Sequence, residues 1–189
     1  MTMTINGVAC GLKSVDGTRI TFVSPLALGS AVEGTSYPVV INANGRVIKT
    51  DFVIVPTRPD VFNEAMFIGP GGRAKLLNVT NRVYTKEPFV IRTIRRRGDV
   101  LRPSVLRLYL TGVANADPSA ITIRIRDSII FGTAVLSNVI VEPGIYVVDF
   151  ELPAVLDGAG DQPLVVTVNV NGTIFSARLD DTSTKVLIL

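Results

Sequence analysis

Two carboxylates share a glycine-rich stretch at Asp157-Gly-Ala-Gly-Asp161, with Asp149 and Glu151 on the run just before it. Oxygen ligands on a flexible loop are the chemistry that holds Ca2+, so Asp157 and Asp161 are the candidate metal ligands. Their spacing is not that of a defined calcium loop, and Gly with Asp is also ordinary turn chemistry. A plain surface loop is the weightier reading, and no metal or cofactor is assigned; Asp180-Asp181 is a sparser case of the same kind. The second cluster is cationic. Arg92, Arg95, Arg96, Arg97, Arg102 and Arg107 crowd one stretch while Asp and Glu are scattered. Such a cluster can meet a polyanion, with Arg95, Arg96 and Arg97 as the candidate contacts. No aromatic residues interleave for base stacking, which argues against nucleic acid. The competing reading is a charged edge strand and turn, kept from pairing with other edges. Arg97-Gly98-Asp99 spells an adhesion tripeptide but reads as turn chemistry. Asn78-Val-Thr80 and Asn171-Gly-Thr173 fit the N-glycosylation pattern, and the second is better explained as a turn.

What the chain lacks narrows its chemistry further. It has no histidine, which removes Ser-His and Cys-His catalysis and His-ligated metals together. Cys10 is the single cysteine, so neither an intrachain disulfide nor a cysteine-based metal site can form. Ser and Thr are strung along strands, and Lys13, Lys49, Lys75, Lys86 and Lys185 stand in polar contexts. Nothing marks an activated nucleophile or a carboxylate pair in a cleft, so the expectation is a protein that is not an enzyme.

The elements that would carry these residues are strands. Hydrophobic residues make up 47% of the 189 and charged ones 19%, with 16 Gly, 11 Pro and no Trp; Val, Ile and Thr with frequent turn residues favour an all-β fold. No long window keeps helical apolar spacing. Residues 1–56 read as short strands at Thr2–Ala9, Arg19–Val23, Tyr37–Ala43 and Arg46–Val55. Residues 57–85, broken by Pro and Gly, read as a connecting segment with a small hairpin over Gly69-Pro-Gly-Gly72, too apolar to hang free. Residues 86–189 give seven or eight strands, including Phe89–Ile94, Val105–Thr111, Ala120–Arg126, Ile129–Ser137, Gly144–Glu151, Leu164–Val170, Thr173–Leu179 and Lys185–Leu189. That is the size and strand spacing of a complete immunoglobulin-like sandwich. Leu106/Leu108/Leu110 and Ile121/Ile123/Ile125 give period-two stripes facing inward, with Arg107/Tyr109 and Thr122/Arg124 facing out.

The chain also repeats itself. Asn171-Gly172 is the pair that most readily takes φ > 0 at both centres of a two-residue hairpin turn, and Asn44-Gly45, 127 residues earlier, has the same flanks. Ile20-Thr-Phe22-Val-Ser-Pro25 reappears as Val148-Asp-Phe150-Glu-Leu-Pro153. In this register Phe89–Thr111 has no counterpart in the first copy, which makes the chain two immunoglobulin-like β-sandwich units, the first lacking its opening strands. The exposed edge would be covered by residues 57–85 or by another copy of the chain, making a homo-oligomer.

Ile5-Asn6-Gly7, Ile20–Pro25, Val40–Gly45 and Val53–Pro56 resemble the second half of an immunoglobulin-like domain of the IPT/TIG type. Val105–Val113, Gly144–Pro153, Asp157–Asp161 and Pro163–Gly172 resemble an uncharacterised C-terminal domain family of secreted proteins from soil bacteria of the Solibacter type. The resemblance implies export, a place at the C-terminal end of a larger bacterial surface protein beside its other domains, and no catalytic residues. No signal pattern precedes the first strand and no apolar run reaches about 18 residues, so no membrane span is expected; an excised extracellular segment would read the same. The expected function is a non-enzymatic extracellular spacer or protein-interaction module. The alternative is a carbohydrate or polyanion binding module using the second domain and the Arg92–Arg107 cluster.

Overall fold

A computed structural model describes residues 1–25, 28, 33–94, 100–113 and 116–189. The protein is all-β and divides into two compact units, Met1–Pro56 and Thr57–Leu189.

In the first unit the strands are β1 (Thr2–Ile5), β2 (Val8–Ala9), β3 (Gly11–Val15), β4 (Ile20–Val23), β5 (Ser36–Ala43) and β6 (Arg46–Val53). One antiparallel sheet has the order β2-β1-β5-β6, and β3 and β4 form a separate ribbon. The stretch expected as one strand, Thr2–Ala9, is folded into two, because Asn6 and Gly7 turn the chain at φ of 50° and 77°. Met3, Ile5 and Val39 are the buried centre, with Leu12, Ile20, Phe22, Tyr37, Ile41 and Phe52 half-buried around them.

The second unit continues with β7 (Asp60–Val61), β8 (Leu76–Asn78), β9 (Arg92–Thr93), β10 (Arg102–Pro103), β11 (Val105–Thr111), β12 (Ile121–Ile125), β13 (Ser128–Ile130), β14 (Val135–Glu142), β15 (Ile145–Glu151), β16 (Gly160–Val170), β17 (Thr173–Phe175) and β18 (Thr184–Ile188). One sheet runs β14-β15-β11, with β7 and β8 sharing the far edge of β11; the other runs β13-β12-β16, with β17 and β18 sharing the far edge of β16. Leu106, Leu108 and Leu110 of the first sheet and Ile121, Ile123 and Ile125 of the second are fully buried in one core. Here the period-two reading holds, because each strand turns one face to that core.

Two expectations need correcting. Residues 57–85 belong to the second unit and do not bridge the two: β7 and β8 add to β11, and Glu64 N donates to Arg73 O at 3.0 Å to close the local hairpin. Ile129–Ser137 is two strands and not one, parted at Phe131–Ala134, where Gly132 sits at φ 60°.

The two units repeat one design down to its irregularities. The order β2-β1-β5-β6 matches β13-β12-β16-β17. Both Asn-Gly turns have positive φ at both centres. In each, the asparagine two residues upstream accepts from the turn glycine: Gly45 N to Asn42 Oδ1 at 3.2 Å, Gly172 N to Asn169 Oδ1 at 2.8 Å. A bulge recurs as well. In the β3–β4 ribbon it falls between the pairs Leu12/Phe22 and Ser14/Thr21; in β14–β15 it falls between Val135/Phe150 and Ser137/Asp149. With Ile20-Thr21-Phe22 aligned on Val148-Asp149-Phe150, these are one position. The copies part company on the other side of that strand. β15 carries β11 there, whereas β4 has no strand partner on that side among the described residues.

Candidate functional site

The deepest concavity of the second unit is a cleft of about 570 Å3 lined by Asn81, Tyr84, Arg102, Arg107, Asp149 and Glu151, among others. Its floor is a cross-strand pair. Arg107 on β11 stands directly opposite Asp149 on β15 and forks onto it, Nε to Oδ1 and Nη2 to Oδ2 both at 2.8 Å. The Asp149 carboxylate holds the Arg107 guanidinium more firmly protonated than a free arginine. Tyr84 stands at the rim, 59% exposed. Asn81, Arg82 and Tyr84 all lie at positive φ (50°, 62° and 53°), a conformation that side-chain-bearing residues keep only where their surroundings impose it.

What imposes it is a buried polar chain behind the cleft wall. Asn78 Nδ2 donates to Thr93 Oγ1 at 2.8 Å, the Thr93 and Ser104 hydroxyls lie 2.7 Å apart, and Ser104 Oγ donates to Val90 O. Asn78 Oδ1 accepts from Thr80 N at 2.9 Å, and Thr80 Oγ1 accepts from Val105 N at 2.7 Å. Asn78 is only 3% exposed and Ser104 not at all. The Asn78-Val-Thr80 glycosylation pattern is thus spent inside the fold, while Asn171 forms a hairpin turn. Asn78→Ala orphans several of these groups at once and is expected to cost about 2–3 kcal/mol, measured by urea unfolding with Asn81→Ala as the exposed-loop comparison.

The calcium candidates have other engagements. Asp161 lies on β16, where Arg73 Nη1 donates to its Oδ1 and Lys185 Nζ stands 3.9 Å from Oδ2. Gly158 and Gly160, at φ 66° and 73°, shape the turn beside Asp157. Asp180 is forked by Arg124. Among the described residues no group of three or more His, Cys, Asp or Glu is placed to hold a metal. Of the cationic cluster, Arg92 and Arg102 are exposed on the β9–β10 ribbon and Arg107 is paired; Arg95, Arg96, Arg97 and the Arg97-Gly98-Asp99 tripeptide lie outside the described residues.

Sequence reading missed two features of this unit. One is the cleft rim, because Val83-Tyr84-Thr85 looks like ordinary strand sequence and nothing local betrays its turned backbone. The other is the charge lock around Arg73, which donates from Nε and Nη2 to Glu87 Oε1 and Oε2, both at 2.7 Å. Leu187 N also donates to Glu87 Oε2 at 3.1 Å. The Arg73 fork, then that N–H, hold the Glu87 carboxyl below the ordinary carboxylate range. A carboxyl depressed in the folded state adds stability above its unfolded pKa of about 4.3 and loses it as pH falls through the lower folded value. Glu87→Gln is therefore expected to weaken the protein at pH 7, with the gap from the parent closing on acidification to pH 3. Urea midpoints at both pH values measure it.

No family model, curated protein or solved structure matches the chain. No helix among the described residues is long and apolar enough to cross a membrane.

Proposed function

We propose that the chain is a non-enzymatic, immunoglobulin-like part of a larger extracellular bacterial surface protein, serving as a spacer or protein-interaction module. The observation that carries this reading is the tandem repetition of one strand order, with its turns and bulge, in two compact units. Repetition of a scaffold suits a role in which spacing and edges matter. The ion pairs Arg107–Asp149 and Arg73–Glu87 tie strands to one another, which suits bracing. A second reading, carbohydrate or polyanion binding, is favoured by the cleft, where the exposed Tyr84 ring and Arg102 face the same concavity; aromatic faces and guanidinium groups are the usual contacts for such ligands. A glycan array together with heparin-column retention at graded salt separates the two. The module reading expects neither glycan binding nor salt-dependent retention. Clear binding that disappears in Tyr84→Ala, or in Arg95→Ala/Arg96→Ala/Arg97→Ala, would overturn it.

A further inference from the structure

The two copies differ where a strand is present in one and missing in the other, and the complete copy shows what belongs there. β11 pairs antiparallel with β15, Leu106 opposite Phe150 and Leu108 opposite Val148, and with it in place Val148 and Phe150 are fully buried. Their counterparts on β4, Ile20 and Phe22, are only half-buried although they pack on the Met3–Ile5–Val39 centre. The outer edge of β4 thus has unpaired backbone groups beside a half-covered apolar face, the combination that accepts an added strand.

We infer that the outer edge of β4 is a strand-acceptor site, and that its occupant is an extended polypeptide segment, supplied in trans, that pairs antiparallel with Ile20–Val23 and sets leucine-sized side chains opposite Ile20 and Phe22. The register follows from the internal template. Leu106 and Leu108 name the two inward side chains, and the residue between them faces outward. In β11 that residue is Arg107, matched to Asp149; on β4 its partner is Thr21, so a small polar residue such as threonine fits there. The sequence pattern sought is Leu-Thr-Leu inside a strand of about β11's seven residues. This deepens the protein-interaction reading and rests on it. Glycan or heparin binding would overturn that reading while leaving strand binding measurable on its own.

The test uses the full chain and a synthetic peptide, Trp-Lys-Val-Leu-Thr-Leu-Tyr-Leu-Thr-Lys, whose tryptophan is a clean fluorescence reporter because the protein has none. Saturable one-to-one binding is expected, with slowed amide exchange confined to Ile20–Val23 and none gained on β15. N-methylation of alternate peptide amides on the pairing edge should weaken binding by about tenfold or more, since each lost hydrogen bond removes about 1 kcal/mol. A scrambled peptide with the leucines adjacent should not bind. Overturning results are no binding, equal binding of the scrambled peptide, or protection anywhere but β4. A concentration-dependent dimer in light scattering, with β4 protected and the peptide unable to compete, would also overturn it by making a second copy the occupant.

Discussion

Gly112→Ala is expected to destabilise the second unit by about 3–4 kcal/mol. Gly112 follows the last residue of β11 at φ 74°, a backbone region where a Cβ costs about 1–2 kcal/mol by itself. Space is the larger objection. A Cβ there would run into the carbonyl carbon and oxygen of Arg58 and come within 3.1 Å of Pro59 N, all backbone atoms that no rotamer change can move aside. The approach is close because β7 docks on the end of β11 at this point: Thr111 pairs with Asp60, and Thr57 Oγ1 donates to Gly112 O. Parting them exposes Val61 and Phe62. Gly158→Ala is the control, at φ 66° with nothing near its Cβ, and should cost only the conformational term of about 1 kcal/mol. Urea unfolding followed by circular dichroism compares them. Equal losses would show that the Arg58 approach is not what demands glycine.

The second large effect concerns Asp60, 8% exposed at the start of β7. Arg178, from the stretch between β17 and β18, forks onto it, with Nε and Nη2 at 3.1 and 2.8 Å from Oδ2. Val61 N donates to Oδ1 at 2.9 Å. Arg178→Ala leaves a buried carboxylate with one backbone donor, and the expected loss is about 3 kcal/mol. Removing both charges should be far gentler, because the cost lies in the orphaned carboxylate and not in the missing attraction. Asp60→Leu/Arg178→Met is therefore expected to recover most of the loss. If the double variant falls as far as the sum of its singles, the pair is not a coupled unit.

The parts of this fold that were legible in the sequence are those where local chemistry and burial agree. The stripes through Leu106–Leu110 and Ile121–Ile125, and the Asn-Gly turns at 44–45 and 171–172, needed only neighbouring residues to be recognised. The repeat was legible for the same reason, and the bulge opposite Phe22 and Phe150 supports it independently of residue identity. What could not be read depends on distant partners. Residues 57–85 looked like a connection because β7 and β8 are two and three residues long and become strands only against β11. The Asn6-Gly7 turn carries the same residue pair as the other two hairpins, but β2 is too short to show period two beyond it. The Asp60–Arg178 and Arg73–Glu87 locks join residues far apart in sequence. The cleft needs Tyr84 on a turned backbone that only the buried Asn78–Thr93–Ser104 chain explains.

The central claim is that the first unit is the second one's design with the partner of β4 left out. Residue-resolved hydrogen exchange on the unliganded chain tests it most directly, because β5 and β4 lie in the same unit while β5 alone is flanked by strands on both sides. The account predicts that the β4 amides not bonded to β3 exchange at least about a hundredfold faster than those of Val39–Ile41, a gap of roughly 2.7 kcal/mol in opening free energy. On β15, flanked by β14 and β11, no such alternation is expected. Uniform protection along β4, equal to that of β5, would mean that the edge is already occupied and would contradict the account.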